Sequence, residues 1–217
     1  MAEHNVNRQL RNNSDQHETA GTREQLLSAA AALMTETSST DFSLNDVGKR
    51  SGLNTALVKY YFGNKSGMMM ALIKDIVTDS FVRLERLTKL DIPPEEKIEI
   101  HIKGYVALCH RFPFLCQLVN RMSQIEDGKY MGEIADDFIK PLIKVQKKIL
   151  DEGIKAGKFR KIDPMLFYFQ VSGACDALFH AKFVLESGFD VTNFDKGLRD
   201  DYAKQITKTL LEGISAK

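Results

Sequence analysis

Ser43-Leu-Asn-Asp-Val-Gly-Lys-Arg-Ser-Gly-Leu-Asn-Thr-Ala-Leu-Val-Lys-Tyr-Tyr-Phe-Gly-Asn-Lys65 decides the fold of this chain. Ser43 is placed to cap a short helix, and Asp46 in its first turn complements the helix dipole. Gly52 ends that helix, Leu53 plugs the turn, and Asn54 caps a second helix of about two turns. Val58, Tyr61 and Phe62 are spaced to pack inward on Leu44 and Val47, while Thr55, Ala56, Leu57, Lys59 and Tyr60 face outward. Between Asp46 and Asp75 the chain carries Lys49, Arg50, Lys59, Lys65 and Lys74 and no acidic residue. Two short helices across a tight turn, with basic charge of one sign, suit the backbone of duplex DNA. In such a unit the second helix enters the major groove, and the amides at the next helix start, with Lys65, are placed to hold phosphate. The plainer reading of the basic residues is a solvated face; the turn and its apolar plugs favour the first.

The rest of the chain reads as helix almost throughout. Thr22 and Gln25 have capping-box spacing, and Leu26, Ala30, Leu33 and Met34 follow at helical intervals. Asn64 is a cap for a long helix over about 65–90, and Pro93-Pro94 separates it from one over about 95–111. Pro113 sets another boundary, followed by a short helix over 114–125. A longer helix covers 130–156 with Pro141 as a kink. Asp163-Pro164 opens a helix to about Ser187, and the last covers about 195–214. The expectation is an all-α chain of about nine helices: a tail over 1–20, a three-helix unit over 21–66, and a larger helical domain over 67–217.

With 217 residues and a formal net charge of +1, the chain is not polycationic, so nucleic-acid contact has to come from a local patch. It has no apolar run long enough to cross a bilayer, and Met1 to Ala20 lack the apolar centre of a signal peptide, so a cytoplasmic protein without a membrane partner is expected. Cys109, Cys116 and Cys175 are odd in number and form no CxxC pair, which favours reduced thiols. Cys109, His110 and His101 match no zinc spacing, so neither metal nor cofactor is expected.

At this point the segment resembles the DNA-binding domain of the TetR family of bacterial transcriptional regulators. The family's Thr/Ser-x-x-Asp-Ile-Ala, Ala-Gly-Val-Ser and Leu-Tyr-x-Tyr-Phe-x-x-Lys correspond to Ser43-Leu-Asn-Asp46-Val-Gly48, Ser51-Gly-Leu-Asn54 and Val58-Lys-Tyr-Tyr61-Phe62-Gly-Asn-Lys65. The likeness covers roughly 22–72. Beyond it, only helix order and breakpoints agree, including Gly153-Ile-Lys-Ala-Gly157 before Asp163-Pro164. The resemblance implies DNA contact at Ser43, Asn45, Asn54, Thr55, Ala56, Leu57, Lys59 and Tyr60, and phosphate contact at Lys65. Three departures bear on operator choice. Gly48 replaces the usual Ala and weakens its helix; Leu57 replaces a polar Thr; Lys59 replaces the usual Tyr.

The resemblance further implies a homodimer on a roughly palindromic double-stranded DNA operator, released by a small-molecule effector bound among the middle helices. His101, Tyr105, Cys109, Phe114, Gln117, Met122, Tyr130, Phe138 and Phe167 are candidate effector contacts, and their apolar bias suggests a hydrophobic or acyl-bearing ligand. Taken singly, such aromatics are plain core. Gly173, Ala177 and Ala181 form a small-residue stripe, and Tyr202, Ile206 and Leu210 an apolar stripe that needs cover from its own domain or a partner. The family favours pairing of both helices in the dimer interface. Asp176 and His180, four apart, read as a core or interface pair; no nucleophile stands with them, and no enzymatic activity is expected.

Overall fold

The computed structural model describes residues 21–216, so the tail expected over 1–20 lies outside the described residues. Helices account for most of the described chain. No strand occurs among them, only an isolated antiparallel bridge between Phe159 and Ser215. The elements are α1 (21–37), α2 (Leu44–Ser51), α3 (Ala56–Phe62), α4 (Lys65–Leu87), α5 (Pro94–Arg111) and α6 (Leu115–Gln124), then α7 (Met131–Ile134), α8 (Lys140–Lys155), α9 (Pro164–His180), α10 (Lys182–Phe189) and α11 (Lys196–Ile214). They form two compact units whose boundary falls inside α4, between Leu72 and Ile73.

In the first unit, Leu26, Ala30 and Met34 of α1 recur every four residues and are buried with Val47 of α2 and Val58 of α3. Thr22 and Gln25 both lie within α1. The Gln25 side-chain amide donates to the Ser51 carbonyl at 2.6 Å, tying α1 to the end of α2. Asn64 does cap α4, accepting from Gly67 N at 2.8 Å.

In the second unit, Ile98, Ile102 and Val106 of α5 form one core with Ile149 and Leu150 of α8, Phe167, Val171 and Cys175 of α9, and Ile206 and Ile214 of α11. Lys97, nearly fully buried on α5, donates to both carboxylate oxygens of Glu152 on α8 at 2.7 and 2.9 Å. A buried ammonium is tolerable only with such pairing.

Two helices differ from the sequence expectation. The run over 130–156 is helical, but α7 passes into a π turn at Ala135–Ile139 before α8. Pro141 has no N–H to bond the carbonyl four residues back, and its ring crowds that carbonyl, so the ladder widens by one residue just ahead of it. The helix expected to run to Ser187 breaks at Ala181, whose φ/ψ of −93/29 separates α9 from α10. No proline or glycine marks that break in the sequence.

Candidate functional site: nucleic-acid interface and internal cavity

The helix-turn-helix is built from local hydrogen bonds. Ser43 Oγ accepts from Asp46 N at 3.1 Å, and Asp46 Oδ2 accepts from the Ser43 hydroxyl at 2.6 Å and its amide at 3.3 Å. These bonds hold the Asp46 carboxyl below its ordinary pKa. Gly52 closes α2 in the left-handed region at φ 71, a conformation that costs glycine least. Asn54 Oδ1 then accepts from Ala56 N at 2.8 Å to start α3.

Ser43 and Asn54 therefore serve as caps, whatever else they touch. Asn45, Ala56, Lys59 and Tyr60 are exposed, and Leu57 is half-buried. The Tyr60 ring is three-quarters exposed and meets Tyr61 edge to face at 4.9 Å.

Thr55 is turned partly inward. A Cβ on Gly48 would lie 2.8 Å from Thr55 Cγ2 and 3.1 Å from the Leu53 carbonyl oxygen. Glycine at 48 thus makes room for the threonine methyl across the turn, which explains the departure from alanine there.

The basic patch is less free than its sequence implies. Arg50 forms a bidentate pair with Glu36 of α1, an acid outside the acid-free run. Lys74 lies in the second unit, where it bonds Glu133 at 2.5 Å and Asp137 at 3.2 Å, which raises its pKa. Lys65 Nζ donates to the Phe42 carbonyl, sits 3.2 Å from Asp41 Oδ1, and stands 4.5 Å over the Phe42 ring centroid. Lys49 and Lys59 are exposed, and neither forms an ion pair with a described residue.

We therefore expect Lys59→Ala to lower the salt dependence of DNA binding by about 1 in slope with little change in melting temperature. Lys65→Ala should lower both, because it also unties the α1–α2 loop. Fluorescence anisotropy over a salt series, with thermal melts of both variants, checks this; an unchanged slope for Lys59→Ala excludes its phosphate contact.

The second unit holds a cavity of about 760 Å³, within the roughly 300–1,000 Å³ typical of small-molecule sites. α4, α5, α6, α8, α9 and the π turn wall it. Ile76, Leu84, Leu108, Leu115, Val119, Phe138 and Leu142 supply its apolar lining. The π turn ahead of Pro141 places Phe138 and Ile139 on that wall.

The uncharged polar groups and the inner acid of the lining are Ser80, His101, Tyr105, Cys116, Asn120, Tyr168, Ser172 and Asp176. His101 is buried, its Nε2 lies 2.9 Å from Gln146 Nε2, and desolvation lowers its pKa to about 4, so it is neutral near pH 7. Burial likewise pushes the Tyr105 hydroxyl well above its ordinary range, leaving it un-ionised. Arg83 and Arg111, both exposed, add two guanidinium groups, and Asp75 and Asp79 stand nearby on α4.

Of the residues expected to contact an effector, His101, Tyr105 and Phe138 line this cavity. Cys109, Phe114, Gln117, Met122, Tyr130 and Phe167 do not. Phe167, Met122, Cys109 and Phe114 are core, and Gln117 Nε2 lies 3.0 Å from His180 Nδ1. Helical periodicity marks an inward face without saying whether that face meets a neighbour or a void. Arg83, Arg111 and the α4 lining carried no signal of their own.

The two stripes also separate. Within this chain Ile206 is core, while Tyr202 and Leu210 are half-buried against that core, and Tyr202 Oη donates to the Ala174 carbonyl at 2.6 Å. α5 and α9 of the same chain supply part of their cover. Gly173 and Ala177 are exposed on α9, and Ala181 is half-buried at its end. Met165, Leu166 and Phe169 of α9 and Phe183, Val184 and Phe189 of α10 are exposed large apolar side chains.

Residues 91–217 match the family description "Tetracyclin repressor-like, C-terminal domain". The fatty acid metabolism regulator protein of Bacillus subtilis (strain 168) is 24% identical over 156 residues, 70% of this chain and 78% of that protein. The crystal structure of the transcriptional regulator FadR from Bacillus subtilis in complex with stearoyl-CoA superposes with a TM-score of 0.64 at 21% identity, covering 85% of this chain and 97% of that one. The fatty acid metabolism regulator of Clostridium perfringens gives 0.66 at 19% identity, covering 89% and 100%. No described helix is long and apolar enough to cross a membrane.

Proposed function

The chain belongs to the tetracycline-repressor-like (TetR) family of ligand-responsive transcriptional regulators, and from that premise we propose that it holds a two-fold symmetric DNA operator as a homodimer and releases it when a fatty acyl-CoA fills the cavity of its larger unit. The observation that carries this reading is the cavity itself: about 760 Å³, apolar within, with Arg83 and Arg111 among its lining. An acyl chain suits the apolar wall. The arginines suit the phosphates of the CoA moiety, which planar guanidinium groups bind with paired hydrogen bonds. Tyr105, Ser172 and His101 offer neutral polar groups within the lining for the thioester carbonyl. Relatives described as fatty acid regulators, one bound to stearoyl-CoA, support the ligand class.

The exposed apolar side chains of α9 and α10, beside the Gly173–Ala177 stripe, are the surface we assign to the partner subunit. Phe169 and Gly173 belong to that surface and to the cavity lining alike, so ligand and dimer geometry share residues. α2 and α3 share the reading face, with Asn45 on α2, Thr55 at the turn, and Ala56, Leu57 and Tyr60 on α3 toward the groove, and Lys59 and Lys65 toward phosphate. Coupling between ligand and operator needs only a difference in acyl-CoA affinity between the two arrangements of the dimer. The larger unit is a binding module in this reading, not an enzyme.

Isothermal titration of the full chain with stearoyl-CoA and with CoA lacking an acyl chain tests the assignment. Saturable binding of stearoyl-CoA, with CoA weaker by orders of magnitude, is the expected result. Equal binding of the two removes the acyl reading.

A further inference from the structure

Three helices bring a soft donor set together that the sequence keeps apart. Cys109 lies near the end of α5, Cys116 on the first turn of α6 beyond the Pro113 boundary, and Asp176 on α9. The two sulfur atoms and a carboxylate oxygen of Asp176 all lie within 4.8 Å of one another. Cys109 is buried; Cys116 and Asp176 are half-buried and line the cavity. Behind them, His180 Nε2 is buried and lies 2.8 Å from Asp176 Oδ1. Gln117 Nε2 lies 3.0 Å from the other ring nitrogen of His180.

We propose that Cys109, Cys116 and Asp176 form a binding site for a thiophilic divalent cation of the zinc class. Zinc–sulfur bonds of about 2.3 Å around a tetrahedral centre put two sulfurs about 3.8 Å apart, and a carboxylate oxygen slightly nearer, so the spacing found here needs only small side-chain adjustments. Two thiolates and one carboxylate select zinc-like ions over calcium and magnesium, which require sets made of oxygen alone. Three protein donors leave a fourth position open, and two of the three are on the cavity wall, so a water or a donor group of a bound ligand can take it. His180 and Gln117 act one shell out. The imidazole holds the carboxylate, and the amide, free to turn its oxygen or nitrogen toward Nδ1, sets which ring nitrogen carries the proton. The site does not rest on the acyl-CoA reading, because its donors are complete without any effector.

The test uses the full chain, reduced with a phosphine and titrated with Co²⁺ alone. Binding of one cobalt per chain, with a near-ultraviolet thiolate-to-cobalt charge-transfer band bleached by stoichiometric Zn²⁺, is expected. Cys109→Ser and Cys116→Ser should abolish the band, Cys175→Ala should retain it, and His180→Ala should weaken binding by about tenfold or more. A native chain with no such band, or a band that survives both serine replacements, overturns the site. The native titration decides the matter even if a variant folds poorly.

Discussion

Gly153→Ala is expected to destabilise the larger unit by about 3 kcal/mol or more, lowering its melting temperature by on the order of 10 °C. A Cβ at this position would lie 2.0 Å from Phe159 Cδ2 and 2.3 Å from Cε2, far inside contact distance. The ring cannot retreat, because the chain is folded back onto the end of α8. Lys158 N and Phe159 N both donate to the Gly153 carbonyl, at 2.9 and 3.1 Å, and Phe159 is buried among Ile149, Leu150 and Ile214. The neighbouring backbone is tied down too: Arg160 N donates to Ile214 O at 2.8 Å, and Ala216 N to Lys158 O at 2.9 Å. Moving Phe159 therefore loosens the end of α11 as well as α8. Gly153→Ala combined with Phe159→Leu should recover part of the loss, since the smaller side chain vacates the ring's space. Thermal or urea unfolding reads both; a single variant melting within a degree or two of the parent contradicts the packing described.

The largest functional effect is expected from the length of the ligand's acyl chain. Each buried methylene contributes about 0.8 kcal/mol, so two added carbons should tighten binding by roughly tenfold or slightly more until the cavity is full. Calorimetric titration of even-chain acyl-CoAs should show steep gains and then a plateau or reversal, where overpacking begins to cost. Arg83→Ala with Arg111→Ala should weaken every member of the series by a similar factor without altering its slope, because the guanidinium groups meet the headgroup and not the chain. A flat series contradicts an apolar occupant. A slope changed by the arginine variants contradicts the division of labour between wall and arginines.

How much of this was legible from residues alone follows from how local each determinant is. The helix-turn-helix could be read because its caps, turn glycine and apolar plugs lie within one short stretch, and the structure uses Ser43, Gly52 and Asn54 at the expected helix ends. Most helix boundaries were legible for the same reason: Asp163-Pro164, Asp195 and Asn64 act through bonds to the next few amides. The cavity was not, because it is made by what six elements leave unfilled. Phe167 and Phe138 have the same chemistry and similar spacing, yet one fills the core and the other walls the void. The α11 stripe was ambiguous in the same way, since an apolar face does not declare whether α5 and α9 or a second subunit will cover it. The pairing of Arg50 with Glu36 and of Lys65 with Asp41 depends on where α1 and its following loop return, which charge counting along the segment does not encode. The grouping of Cys109, Cys116 and Asp176 is likewise a product of three helices converging.

The account as a whole rests on one linkage: an acyl ligand in the larger unit governs DNA held by α3. Selection of fragments from the source genome by the purified full chain, run with and without stearoyl-CoA, tests it most directly. Without ligand, the account expects enriched fragments sharing an inverted repeat, its half-sites separated by about one helical turn, roughly 34–36 Å, or a multiple of it. With stearoyl-CoA those fragments should be lost, and CoA alone should leave them in place. Recovery of the same fragments at the same yield in the presence of stearoyl-CoA, or the absence of any shared repeat without it, would contradict the account.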